Sequence, residues 1–280
     1  MEPFILVFSN APYSLIHGSY YPMVLMIVGY LLAGLIGLSL GLIGGGGSIL
    51  AVPVLVYVMG VPAKAAIAMS LVIVGAVSLV GAIPHWRMGN VRFKTALLFG
   101  PAAMLGAYLG ARLAALPWIT ETVQMGLFAI TMLAAALLMI RKRGNPDAIA
   151  LEAASHPHKH RWIWIAVEGL AVGVLTGLVG VGGGFAIVPA LVLLGNVPMK
   201  QATGTSLLII AMKSVTGFLG YLGQVTLDWP LMLGFTLAAT LGMVLGVQLL
   251  PSIKAQHLQK GFGYLLFAMA GFILWQNLSP

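Results

Sequence analysis

Long apolar runs, separated by short polar or glycine-rich interruptions, set the plan of this chain. Eight of them, near 22–43, 65–84, 94–115, 121–140, 161–180, 203–222, 230–250 and 260–278, each hold roughly 20 residues. As helices rising about 1.5 Å per residue, such runs are long enough to cross a hydrocarbon core of about 30 Å. Two shorter runs, 48–60 and 185–196, each follow a glycine cluster. They would reach only about 18–20 Å as helices, so the pattern predicts short broken or re-entrant segments. Few turn-bounded alternating strands are present, which argues against a β-barrel. The predicted fold class is an all-α polytopic membrane protein.

The pattern occurs twice. Gly44-Gly45-Gly46-Gly47-Ser48-Ile49-Leu50-Ala51-Val52-Pro53 returns as Gly180-Val181-Gly182-Gly183-Gly184-Phe185-Ala186-Ile187-Val188-Pro189. At the same offset Pro62 pairs with Pro198, Lys64 with Lys200, Ser70 with Ser206, Ser78 with Ser214 and Gly81 with Gly217. After a two-residue shift, Gly89-Asn90-Val91 matches Gly223-Gln224-Val225. A tail over 1–21, a first transmembrane repeat over 22–140, a basic linker over 141–160 and a second repeat over 161–280 follow from this register. Paired Gly/Pro interruptions in two halves of a membrane chain are the pattern expected of a secondary transporter.

Composition fits the membrane reading, with 60% hydrophobic and 7% charged residues. The net charge of +8 belongs to interior loops rather than to a nucleic-acid partner. With the linker (Arg141, Lys142, Arg143, Lys159, Arg161) taken as cytoplasmic, Arg87, Arg92, Lys94, Lys200, Lys254 and Lys260 also fall inside. Only Lys64 and Arg112 fall outside, and Lys213 lies within a span. The loop at Gly89 is basic while its partner at Gly223 carries Asp228, so the halves are expected to have opposite orientation, as inverted-topology repeats with extracytoplasmic termini. Charge leaves open whether the short segments cross, giving ten crossings, or dip and return, giving six. The start of the chain lacks a basic n-region, so no cleaved signal peptide is expected. The absence of cysteine excludes disulfides, thiolate metal sites and cysteine nucleophiles. No metal or cofactor is expected, and no H-E-x-x-H or paired-carboxylate arrangement points to an enzyme.

Consecutive glycines let a backbone turn tightly and let another group approach closely. Unwound backbone in lipid is tolerated where it is buried in protein or lines a watery cavity. Helices starting after each cluster would direct free N–H groups and a positive dipole end toward an anion. The competing reading is close helix packing, also expected of Gly37-x-x-x-Gly41, Gly106-x-x-x-Gly110, Gly173-x-x-x-Gly177 and Gly242-x-x-x-Gly246. Candidate substrate contacts are the backbone of Gly46, Gly47, Gly182, Gly183 and Gly184, with the hydroxyls of Ser48, Ser70, Thr203, Thr205 and Ser206. Helix capping or bonding one turn back is the alternative role of those hydroxyls. Lys213 lies midway along 203–222, opposite Val77 in the first repeat, where a charge costs about 2.5–3.5 kcal/mol unless water, substrate or a counter-charge meets it. Glu168 is the expected ion-pair partner, or else a proton-coupling site. His85, Trp86 and Arg87 read as a membrane-boundary anchor, with a gate role as the alternative. His156, His158 and His160 read as a solvated part of the linker.

The paired glycine-proline motifs, the segments Pro62-x-Lys64-Ala65 and Pro198-x-Lys200-Gln201-Ala202-Thr203-Gly204-Thr205-Ser206, and the basic linker together resemble the sulfite exporter TauE/SafE family, also called the 4-toluene sulfonate uptake permeases. The resemblance covers roughly 22–278. It implies a multi-pass protein of the cytoplasmic membrane that carries sulfite, sulfonates or related small organic anions. The expected mechanism is alternating access around a site between the two glycine-started helices, with a passive anion channel as the alternative. The expected partners are the anion and the lipid bilayer, with proton coupling through Glu168 and homo-oligomerisation both compatible with the chain. The first repeat departs from the second where Ala68-Met69 replaces Gly204-Thr205, so the halves need not bind ligand equally.

Overall fold

The computed structural model describes residues 21–114, 121–141, 161–179, 184–195, 197–219 and 226–278. The described residues are helical, without strands. The first half comprises α1 (Tyr21–Ile43), a 3₁₀ turn (Gly45–Gly47), α2 (Ser48–Pro53) ending in a π turn (Val54–Val58), α3 (Ala63–Arg87), α4 (Phe93–Ala114) and α5 (Glu121–Arg141). The second comprises α6 (Arg161–Val179), α7 (Gly184–Leu193), α8 (Met199–Leu219), α9 (Trp229–Leu249) with a 3₁₀ turn (Leu250–Ser252), and α10 (Ala255–Leu278). Every apolar run of the sequence is one helix. Two helices begin earlier than expected. α8 starts at Met199 and α10 at Ala255, because Lys200, Gln201, Gln256, His257 and Gln259 extend a helix that hydropathy cannot see. Gln259 is itself buried and donates to the Met139 carbonyl at 3.0 Å.

Among the described residues four helices are long and apolar enough to cross a membrane: Met23–Ile43, Ala65–Arg87, Met199–Leu219 and Trp229–Ser252. Their outer faces are greasy. Leu233, Leu237, Leu241 and Leu245, four residues apart on α9, are all exposed, as are Leu31 and Leu35 of α1 and Leu97 and Leu105 of α4. Such stripes on a protein surface require an apolar solvent.

The halves interleave. α1 packs on α9, α4 on α6, α3 on α8 and α5 on α10, with further contacts of α3 with α9 and α4 with α8. Exchanging each helix for its equivalent in the other half maps this contact pattern onto itself. Small residues make the closest contacts. A methyl group on Gly37 or Gly242 would strike the carbonyl of Ala239 or Gly34, and one on Gly173 or Gly177 that of Ala103 or Ala107. The glycine pairs therefore serve as packing surfaces, as expected. Registers fix directions. Gly34 faces Gly242 and Gly41 faces Val247, so α1 and α9 run together; Leu71 faces Gly217, Gly75 faces Ser214 and His85 faces Gly204, so the equivalent helices α3 and α8 run oppositely.

Candidate functional site

Gly44 breaks the first long helix. Its φ of 80° and ψ of −123° lie in a region that side-chain-bearing residues avoid, and its N–H still closes on the Leu40 carbonyl at 2.8 Å. The chain then turns back along α1: Gly47 lies against Ile36 and Leu40, and the end of the π turn brings Met59 against Gly29. This segment doubles back beside its own helix.

The beginnings of α2 and α7 meet. The backbone of Gly45 lies against the Gly184 carbonyl, and Gly184 lies against the Ser48 side chain. Gly44 packs on Thr203 and Ser206 of α8, and Gly46 on the Phe262 ring of α10. Gly44, Gly45, Gly46, Gly47 and Gly184 are all buried. The closest approach of the two halves' breaks thus depends on the absence of side chains at both. Gly182 and Gly183 lie outside the described residues, as do His156, His158 and His160.

The hydroxyls are engaged locally. Ser48 donates to the Gly45 carbonyl at 2.6 Å, Ser70 to Ile67 at 2.8 Å, Thr203 to Met199 at 3.0 Å and Ser206 to Thr203 at 2.8 Å. Because α8 begins at Met199, Thr203, Thr205 and Ser206 sit in its second turn rather than at its start. Their bonds are therefore one-turn back-bonds, the bland alternative for these side chains. Thr205 differs, accepting the N–H of Arg92 from the loop before α4 at 3.0 Å. Thr203, Thr205 and Ser206 are fully buried beside the first break.

Because α8 begins at Met199, Lys213 lies in its second half rather than midway; it is half-buried, and its ammonium donates to Thr176 Oγ1 at 3.2 Å. Thr176 stands one turn before the end of α6, just ahead of the second glycine cluster, and passes its own proton to the Gly173 carbonyl at 3.0 Å. The expected pair with Glu168 does not form. Glu168 lies eight residues earlier on α6, about 12 Å away along the axis, and is engaged separately. Among the described residues Lys213 therefore has a neutral partner and no carboxylate.

His85 also departs from the boundary reading. Trp86 and Arg87 are exposed, but His85 is fully buried, and its Nε2 meets the Gly41 carbonyl at 3.1 Å. A carbonyl only accepts, so Nε2 carries the proton. This bond ties the end of α3 to the end of α1. The Arg92 side chain makes a second tie, donating from Nε to Gln201 Oε1 at 2.7 Å. Sequence reading gave neither Thr176 nor Gln201 a role. The available signal was that each polar residue faces an apolar equivalent, Leu40 and Ala65.

A helical membrane protein in which the starts of two short helices meet, with Lys213 held on a neutral partner inside a neighbouring span, has the architecture of a membrane transporter. The chain belongs to the sulfite exporter TauE/SafE family, whose pattern matches residues 29–273, and it is a membrane transporter of that family. A probable membrane transporter protein of Xylella fastidiosa (strain 9a5c) is 34% identical over 252 residues, covering 87% of this chain and 93% of that protein. The probable membrane transporter protein YdhB of Bacillus subtilis (strain 168) is 28% identical, covering 86% and 96%. One from Methanocaldococcus jannaschii is 26% identical, covering 89% and 94%. No solved structure gives a significant match.

Proposed function

We propose that this protein is a secondary transporter of small sulfur-containing anions, such as sulfite or sulfonates, working by alternating access in the cytoplasmic membrane. The substrate is held between the starts of α2 and α7 and beside Lys213. The carrying observation is the Lys213 ammonium inside a span, bonded among the described residues to a hydroxyl and to no carboxylate, in a chain with six acidic side chains. A cation in that position is costly until an anion arrives, so the site favours substrates of negative charge. Supporting the inverted-repeat reading, the equivalent helices α3 and α8 cross in opposite directions. Such a relation gives two half-structures that can exchange conformations across the bilayer. The family description, sulfite exporter, supports the choice of anion.

Reconstitution into liposomes tests this. Expected is saturable sulfite or sulfonate flux, lowered roughly tenfold or more in Lys213→Met, in keeping with loss of a charge-assisted contact. Absence of flux for every sulfur oxyanion, or a linear ohmic current in place of saturation, would overturn the reading.

A further inference from the structure

The two-fold exchange of helices predicts that what happens at one end of the α3–α8 pair should recur at the other. Among the described residues it does not. Where the loop before α4 meets the start of α8, Arg92 closes the junction: its N–H bonds Thr205 at 3.0 Å and its Nε bonds Gln201 at 2.7 Å. His85, fully buried, seals the same end against the Gly41 carbonyl.

The equivalent junction is where the residues before α9 meet the start of α3. There the register places Thr226 for Arg92, Ala65 for Gln201 and Met69 for Thr205. Neither of the two Arg92 bonds is available to that set. Instead, Val61, Pro62, Ala65, Met69, Thr226, Leu227 and Asp228 line a cavity of about 300 Å³. Pro62, Thr226 and Asp228 are exposed, so the cavity opens outward. It lies at the N-terminal end of α3 and the Arg92 junction beyond its C-terminal end, a 25-residue helix apart.

We propose that Arg92 is the gating residue of this transporter: with Gln201 and Thr205 it latches one face shut, while the cavity over Ala65 and Met69 is the open mouth on the other face. The inference rests on the alternating-access reading above and assigns its two ends. The structure is then the state open at the cavity. Breaking the Arg92 latch frees the α3–α4 loop from α8 and lets the Arg92 face open. Among the described residues one side carries the Arg92 bonds and the other carries no equivalent of them, so the resting equilibrium is biased toward the cavity-open state.

The chain contains no cysteine, so single thiols can report on each end without background. Ala65→Cys reports the cavity and Ala202→Cys, at a fully buried position beside Gln201, reports the latch. Both are probed with a membrane-impermeant maleimide in sealed vesicles of each orientation. Expected is labelling of Ala65→Cys from one face only, with Ala202→Cys protected. Adding Arg92→Ala should raise Ala202→Cys labelling roughly tenfold or more, from the opposite face, and Gln201→Ala should do the same. Equal Ala202→Cys labelling with and without Arg92, or labelling of both positions from one face, would overturn the gate.

A second experiment guards against misfolding. The double variant Arg92→Cys/Gln201→Cys is bridged by a short reversible bis-thiol cross-linker. Flux of sulfite should stop when bridged and return on reduction; undiminished flux while bridged would overturn the gate. Labelling needs no substrate. A face-switching label without sulfite flux would therefore reject the anion assignment and keep the gate.

Discussion

As the proposed substrate contact, Lys213 would trade stability for function. Holding an ammonium in a span costs about 2.5–3.5 kcal/mol at the bilayer centre, and Thr176 offers it only a neutral oxygen. Lys213→Met keeps the length of the side chain and removes that cost. Thermal unfolding of the purified variant should therefore show a midpoint unchanged or raised by a few degrees, since replacing a buried charge by a well-packed apolar group is often neutral or stabilising by about 1–4 kcal/mol. The same scan with sulfite should lose the ligand-induced rise expected of the parent chain. A lowered midpoint with the sulfite response intact would make Lys213 a structural residue. The lysine was legible in the sequence because a single charge interrupts an apolar run opposite Val77. Its partner was not, since Thr176 lies 37 residues away and comes within reach of the long lysine side chain because α4 packs on both α6 and α8. The hydroxyls of Thr203 and Ser206 were misplaced for a local reason. Their helix starts a turn earlier, so they have carbonyls behind them to bond rather than free N–H groups to cap.

At the scale of elements, the chain's glycines fall into two kinds, separable by what a side chain would meet. Gly37 on α1 faces the Ala239 backbone of α9, whereas Gly271 on α10 faces nothing within 4 Å. Backbone cannot step aside as the end of a flexible side chain can. Gly37→Leu should destabilise the protein by about 1–3 kcal/mol or more by prising α1 from α9. Gly271→Leu should stay within about 0.5 kcal/mol. Detergent-solubilised thermal or denaturant unfolding of both variants checks the contrast, and similar midpoints would show that helix approach does not depend on the α1–α9 stripe. The sequence marked these stripes through their four-residue spacing. It also marked the broken helices, because no unbroken helix continues through Gly44 at a φ of 80°. It left open whether the short segment proceeds onward or returns. That answer is tertiary: Met59 ends against Gly29 because α1 is the apolar surface nearest to the turn.

For the whole molecule, the duplication was plain in the sequence, but the way the copies share one core was not. The linker over 141–160 suggests two units in series. The contacts run otherwise, because the main partners of α1, α3, α4 and α5 are α9, α8, α6 and α10, all in the other repeat. One core cluster joins Phe99, Met132 and Met139 of the first repeat to Phe185, Leu191 and Phe262 of the second; the other joins Leu40 and Ile73 to Phe235 and Met243. A half-chain alone would leave both faces of its glycine stripes uncovered and Gly45 without Gly184. Neither the fragment 1–150 nor 151–280 should therefore accumulate as a monodisperse protein when produced singly. Produced together they should co-purify and regain thermal unfolding close to that of the intact chain, because the core clusters and the glycine contacts join helices on either side of the linker. Size-exclusion chromatography of the single and paired fragments reads the result. A stable, monodisperse single fragment would mean that each repeat carries its own core, and the shared site between the two breaks would then lose its structural basis. Interleaving also explains why a transporter of this size needs two copies of one motif: each copy supplies the surface on which the other's broken helix begins.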